Sequence, residues 1–306
     1  MLRYLVRRLL GMIPTLLLVV IFVFFFIRLL PGDPARMLAG PEATLADVEN
    51  VRRNLGLDRP VHVQFFNFIT GILRGDFGMS LRTRRPVIDE LGMRFRNTIA
   101  LAALSIVWSS IAGVIVGIQS ARYRSKWQDY AGMTTAVSGI SMPSFWIGFL
   151  LIMLFSVRLR WLPTTGAGSF RNLILPAITL GTGIFAIIAR FTRSSLLEVL
   201  KEDYIRTARA KGVRERWVVW YHAFRNAMIS VVTVLGLQFG FLLGGSVITE
   251  TVFAYPGVGS LLVESVSYRD YPTIQILILL FSTSFIVINL VVDLLYAIIN
   301  PEIRLG

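Results

Sequence analysis

Six runs of about twenty apolar residues constrain this 306-residue chain more than any other feature; they fall near 9–30, 98–120, 130–157, 173–190, 227–249 and 273–299. A bilayer core of roughly 30 Å takes about 20 apolar residues per helix. In lipid, every backbone N–H and C=O must be bonded within the protein, so runs of this length read as helices. The expected fold class is therefore an all-α polytopic membrane protein with six transmembrane helices. A hydrophobic fraction of 55% and a mean hydropathy of +0.66 agree. The third and sixth runs exceed the minimum length, which predicts tilt or a kink, with Pro143 in "SGISMPSFW" as the kink point. The first 30 residues begin like a signal peptide. Their apolar stretch is too long and lacks a small-residue cleavage site, so 1–30 reads as an inner tail and a retained first span.

Lys/Arg bias near the span ends sets the expected orientation. With the N-terminus inside, the inner pieces 1–8, 121–129, 190–226 and 300–306 hold 16 Lys/Arg against 6 Asp/Glu. The outer pieces, taken with Arg28, hold 15 against 11, so the balance is +10 inside and +4 outside. The ten Arg of loop 31–96 are offset by eight acids, and so long a loop counts weakly in the rule. Both termini inside fits an even number of spans.

The outer loop, 31–97, has structure of its own, and 98–306 forms a core with five spans. In "ATLADVENVRRNLG", Thr44 is placed to cap a helix with Asp47 three residues on, and Gly56 to stop it. "PVHVQFFNFITGILRG" puts Val61, Phe65, Phe68, Ile69 and Ile72 on one side of a second helix. "RPVIDELGMRF" predicts a third short helix, with Pro86 at its start. These helices either lie on the membrane face or cap the outer mouth and meet a partner there.

Small residues recur at one-turn spacing, Gly113 and Gly117 in the second span and Gly236, Gly240 and Gly244 in the fifth. Such spacing permits close helix contact in lipid. It fits ordinary packing or, for the fifth span, a subunit interface or pore lining. Asp293 is the ionisable residue that stands clearly inside a span, placed for a structural ion pair or for a transport role.

Several chemistries are excluded or disfavoured. The chain has no cysteine, so thiolate metal sites and disulfides do not arise, and it has no G-x-x-x-x-G-K-[ST] phosphate loop. Its two histidines, His62 and His222, fall outside the spans, which disfavours an intramembrane Ser–His enzyme or a histidine metal site. No ladder of carboxylates suggests coupling to protons or sodium. Energy for uphill transport would have to enter through another chain.

One internal segment stands apart. From Leu196 to Ala227 the pattern predicts two amphipathic helices broken at Gly212, within an inner loop at about 190–226. Leu197, Leu200, Tyr204 and Ala208 follow one face of the first; Trp217, Trp220, Tyr221 and Phe224 follow one face of the second. Arg206, Arg209, Lys211, Arg214 and Arg216 occupy the opposing faces. Positive-inside bias accounts for this charge without nucleic acid. The segment reads either as an interfacial helix pair on anionic membrane lipid or as a docking element for a cytoplasmic partner.

The same segment resembles the cytoplasmic coupling loop of ABC importer permeases, of general form E-A-A-x-x-x-G. Arg206, Thr207 and Ala208 occupy the first three positions and Gly212 falls on the glycine; Ala208 and Gly212 match the general pattern. "DYIRTARAKG…HAFRNA" is similar to the peptide-importer branch, as are "LPGDPAR", "LGLDRP", "GDFGMS", "MPSFW", "LLGGSVITETVFAYPGVGSLL" and "RDYP", in order along essentially the whole chain. The chain looks like the first of the two permeases in dipeptide, oligopeptide and glutathione importers. "GDPARMLAGPEAT" and "NLVVDLLYAIINPEIR" look most like the glutathione members. The resemblance implies a multi-pass protein of the bacterial inner membrane that is not itself an enzyme. A second homologous permease would complete a heterodimeric pore, with two ATPase subunits below and a substrate-binding protein above. This chain would bind no cofactor, and ATP and Mg would sit in the partner subunits. Tyr204, Arg206, Thr207, Ala208, Arg209, Ala210, Lys211 and Gly212 would form the ATPase-coupling element. The alternative is a self-contained homodimeric transporter or channel.

Overall fold

The computed structural model describes residues 2–29, 33–40 and 42–299, and among these the regular structure is helical apart from one isolated bridge, Met79 with Pro86. It divides into two compact units, one made of Leu2–Arg96 with Gly257–Val287, the other mainly of Asn97–Pro256 with Ile288–Gly306.

The first unit contains α1 (Leu2–Leu29), α2 (Pro34–Ala39), α3 (Leu45–Asn54), α4 (Val61–Arg74), the opening turns of α5 (Val87–Arg122), α12 (Val258–Ser267) and the start of α13 (Tyr271–Ile299). Local chemistry sets the boundaries of the short helices. Thr44 and Asp47 form the expected reciprocal capping box on α3, and Gly56 follows it at φ +66°. Helix α4 ends at Gly75 in the left-handed conformation. Its apolar side does pack inward: Phe68 and Ile72 join Val87, Leu91, Val258, Leu261, Ile276 and Leu277 in one core. Phe24 of α1 is almost wholly buried and meets the rings of Phe65 and Phe68 at 5.0 and 5.7 Å.

Polar bonds tie the segment before α5 to the α12–α13 turn. The buried carboxylate of Asp270 accepts from the Ser80 hydroxyl, from the Leu81 N–H at 3.0 Å and from the Thr273 hydroxyl at 2.8 Å. Glu264 accepts from Arg82 at 2.6 Å and lies 3.3 Å from Arg94.

The third loop helix is not a separate element. It begins after Pro86, as expected, but continues without a break into the second span, giving the 36-residue α5. Arg94, Phe95, Arg96 and Asn97 join the expected short helix to the second span. They are neither Gly nor Pro, and nothing in their backbone chemistry stops a helix.

The second unit contains the rest of α5, α6 (Trp127–Ser141), α7 (Ser144–Leu151), α8 (Arg171–Val199), α9 (Asp203–Ala210), α10 (Glu215–Trp217), α11 (Phe224–Val252) and the end of α13. Two stretches, Ile152–Arg158 and Val218–Ala223, are π-helical. The kink expected at Pro143 is present: α6 and α7 meet at 107°. Met142, forced out of helical geometry by the following proline, sits at φ −94°, ψ 134°. Helices α5, α8, α11 and α13 are long and apolar enough to cross a membrane, the pair α6–α7 with its π-helical extension passes the same test only when its two parts are taken together, and α1 contributes the apolar helix Leu10–Phe26. They occupy the six expected runs in order.

Gly113 and Gly117 bring α5 against α8. A Cβ on Gly117 would stand 2.5 Å from Thr192 Cβ and 2.6 Å from the Ala189 carbonyl, so only glycine fits this contact. Asp129 of α6, buried, joins Arg193 of α8 through two bonds of 2.7 Å and also accepts from the Ser125 N–H at 3.0 Å.

Candidate coupling surface

The basic segment folds differently from the two-helix expectation. Helix α8 runs nine residues beyond the expected span end, through Val199, and the chain turns at 200–202 before α9 begins. Leu197 and Leu200 therefore do not share a helix with Tyr204 and Ala208. The chain supplies its own wall here: Ile205 and Ala208 of α9 pack with Leu196 of α8, Ile118 and Ala121 of α5, and Val218, Val219 and Ala223 of the π segment. Ile205 is fully buried and is the anchor that the expected stripe omitted; its place was readable from its i, i+3 spacing with Ala208.

Gly212 ends α9 as expected, at φ +76°. Its N–H bonds to the Arg209 carbonyl at 2.9 Å and the Val213 N–H to the Ala208 carbonyl at 3.2 Å. These two bonds define a Schellman cap, and Val213 packs against the same core as Ala208. A Cβ on Gly212 would meet nothing within 4 Å. Across the turn, Arg209 donates to both oxygens of Glu215 at 3.1 and 2.8 Å. The Arg209 guanidinium holds the Glu215 carboxyl below its ordinary value.

The outward side is short, polar and basic. Tyr204, Arg206, Thr207, Arg209, Ala210, Lys211 and Gly212 are exposed, whereas Ala208 faces the chain's own core. Tyr204 is held by a 2.7 Å bond that Asn226 donates to its hydroxyl, and Thr207 back-bonds to the Asp203 carbonyl at 3.0 Å. Trp217, Trp220 and Tyr221 also point outward, because the aliphatic Val218, Val219 and Ala223 take the buried side. The result is a hairpin clamped at its turn, with exposed cationic side chains on both limbs and the exposed Trp217, Trp220 and Tyr221 on the second.

The other candidate positions do not converge. On α11, Gly236 packs inside the chain, where an added Cβ would be 2.4 Å from Val292 Cγ1; Gly240 is buried, and Gly244 opens into free space. Asp293 lies on α13, and its side chain is outside the described residues. It is not alone at depth. Glu250 lies within the apolar part of α11, fully buried, and accepts from the Thr98 hydroxyl at 2.6 Å. Asp129 lies in the first turn of the bent span. Both fell just outside the apolar runs: the fifth run closed one residue before Glu250, and the third opened one residue after Asp129.

Two family models cover nearly the whole chain. One, described as a binding-protein-dependent transport system inner membrane component, matches residues 109–305; its N-terminal companion matches residues 1–102. The chain is 58% identical over 304 residues, 99% of each protein, to the glutathione transport system permease protein GsiC of Escherichia coli (strain K12) and to that of Salmonella typhimurium. Among solved structures, a chain of the inward-facing MetNI methionine ABC transporter has a TM-score of 0.59 at 19% identity, covering 70% of this chain and 97% of that one, a likeness of fold. With the matched models spanning both units and the six apolar runs in place, the chain belongs to the family of binding-protein-dependent transport system inner membrane components.

Proposed function

We propose that this chain is the first of two permeases in an ATP-driven importer of short peptides, with glutathione as the leading substrate. Identity of 58% along the full length to permeases named for glutathione transport carries the reading. The partners are a second homologous permease, two ATPase subunits that hold ATP and Mg, and a substrate-binding protein. The chain itself converts motion into a path and makes or breaks no bond. ATP draws the ATPase pair together, the α9 hairpin moves with it, and the bundle opens to receive peptide; hydrolysis resets it.

The hairpin's construction supports this role. A cap fixed by two backbone bonds and a bidentate ion pair transmits displacement instead of absorbing it. The +10 against +4 charge balance supports placing the hairpin and both termini on the cytoplasmic side.

The test is uptake of labelled glutathione by cells lacking their own importer and supplied with this chain, its neighbouring permease, ATPases and binding protein. Uptake is expected only with all components, and the tagged chain is expected to retain the permease and ATPases on purification. Uptake by this chain alone would overturn the proposal. A cysteine at Ser125 should react only with membrane-permeant reagents and one at Ser169 from outside; the reverse would invert the orientation.

A further inference from the structure

The first unit carries a half-open cavity of about 660 Å³. That volume lies in the range of small-molecule sites, roughly 300–1,000 Å³. Its walls are the end of α1, the α2 cap, the end of α3, one side of α4 and the start of α13. Apolar wall comes from Leu57 and Phe68, while amides and charges occupy a few defined points.

The charges are unequal in their commitments. Asp33 is used twice over: one oxygen caps the Ala35 N–H at 3.0 Å, and the other binds Arg52 at 2.6 Å. Arg52 also lies 3.4 Å from Glu49, so its charge is answered within the protein. Arg28 has no ion pair among the described residues. Its guanidinium lies over the Phe24 ring at 3.4 Å and donates to the Phe24 carbonyl at 2.8 Å and to Gln64 Oε1 at 2.6 Å. Both of those acceptors are neutral, and a guanidinium carries five N–H donors, so three remain. Gln64 in turn is pinned through its own N–H groups to the carbonyls of Leu57 and Arg59, which fixes the acceptor that orients Arg28. Asn67 and Gln275 add side-chain amides to the same wall.

An oriented cation, amides beside it, and no uncommitted carboxylate to receive an ammonium group favour one class of ligand. We propose that this cavity binds the carboxylate end of a short peptide, with Arg28 taking the carboxylate, Asn67 and Gln275 meeting its amide groups, and Gln64 as a positioning residue. The site rests on the peptide-importer reading and adds to it a second place, on this chain, where peptide is held.

The test uses the assembled importer in lipid nanodiscs without the binding protein, and labelled reduced glutathione as the probe in equilibrium dialysis. Saturable binding is expected. Arg28→Gln should weaken it at least about tenfold, the scale of one lost hydrogen bond to a charged group, and Gln275→Leu, independently, by roughly two- to tenfold, the scale of a lost neutral one. Glutathione amidated at both carboxylates should fail to compete. Absence of saturable binding, or binding untouched by both substitutions at normal membrane levels, overturns the proposal. So does a phospholipid that co-purifies with the wild type, is lost in Arg28→Gln, and is not displaced by glutathione. Uptake measured in parallel separates the two readings. If wild type imports glutathione while neither variant changes binding, the cavity proposal falls and the importer stands. If the cavity binds as described but no component set imports peptide, the importer reading falls.

Discussion

Gly212 permits a clean separation of backbone from contact. Its φ of +76° is a conformation that costs an L-residue with a Cβ about 1–2 kcal/mol. A Cβ there meets nothing within 4 Å, so no clash within the chain adds to that figure. Gly212→Ala should therefore destabilise the cap by about 1–2 kcal/mol, a factor of roughly 5–30 in its open population. Asparagine enters the left-handed region more readily, so Gly212→Asn should recover most of this loss while placing a larger side chain outward. The Val213 amide, bonded to the Ala208 carbonyl, reports cap opening directly. Hydrogen exchange at Val213 should accelerate about 5–30-fold in the alanine variant and much less in the asparagine variant. Coupled ATPase and uptake assays then locate the defect. If the cap is what transmits force, Gly212→Asn retains coupling; if close approach by an ATPase is what matters, Gly212→Asn fails with its cap intact. Wild-type protection of Val213 in the alanine variant would refute the premise that a left-handed conformation open to glycine and costly to alanine holds the hairpin.

Three further outcomes follow from the packing. Gly117→Ala forces its Cβ to within 2.5 Å of Thr192 and should cost about 1–3 kcal/mol by thermal unfolding, whereas Gly244→Ala, in open space, should hold or raise stability by up to about 1 kcal/mol. Asp129→Ala leaves Arg193 partly buried and unpaired, and because Arg193 keeps 29% exposure the expected loss is about 1–3 kcal/mol, with part restored in the Asp129→Arg, Arg193→Asp exchange. Burial pushes the Glu264 carboxyl up, but the hydrogen bond from Arg82 and the charge and bond of Arg94 outweigh it and leave it below its ordinary value. The contribution of this cluster is therefore present above the usual carboxylate pKa and lost as pH falls through the lowered one; exchange in residues 79–86 should rise on acidification, and Glu264→Gln should flatten that pH dependence.

Much of this protein is written in local pattern. Apolar run length determined which segments become spans, because lipid leaves a helix as the way for one segment to satisfy its own backbone. Thr44 with Asp47, Pro143 and Gly212 each act through their own dihedrals or bonds a few residues away, so their effects were legible before any tertiary contact. Even the segment from Leu196 to Ala227 announced itself as basic, aromatic and interrupted by glycine. What local pattern did not contain was which side of each helix would be covered. Ile205 became the anchor of α9 because Ile118 and Leu196 arrive beside it, and Trp217, Trp220 and Tyr221 stayed outward because Val218 and Val219 fill the buried side. Asp129 found Arg193 sixty-four residues away. The cavity beside Arg28 exists only because α1, α3, α4 and α13 meet around it. Turn chemistry and periodicity act over a few residues, whereas burial, ion pairing and enclosed space are properties of neighbours in three dimensions, and those neighbours are chosen by packing.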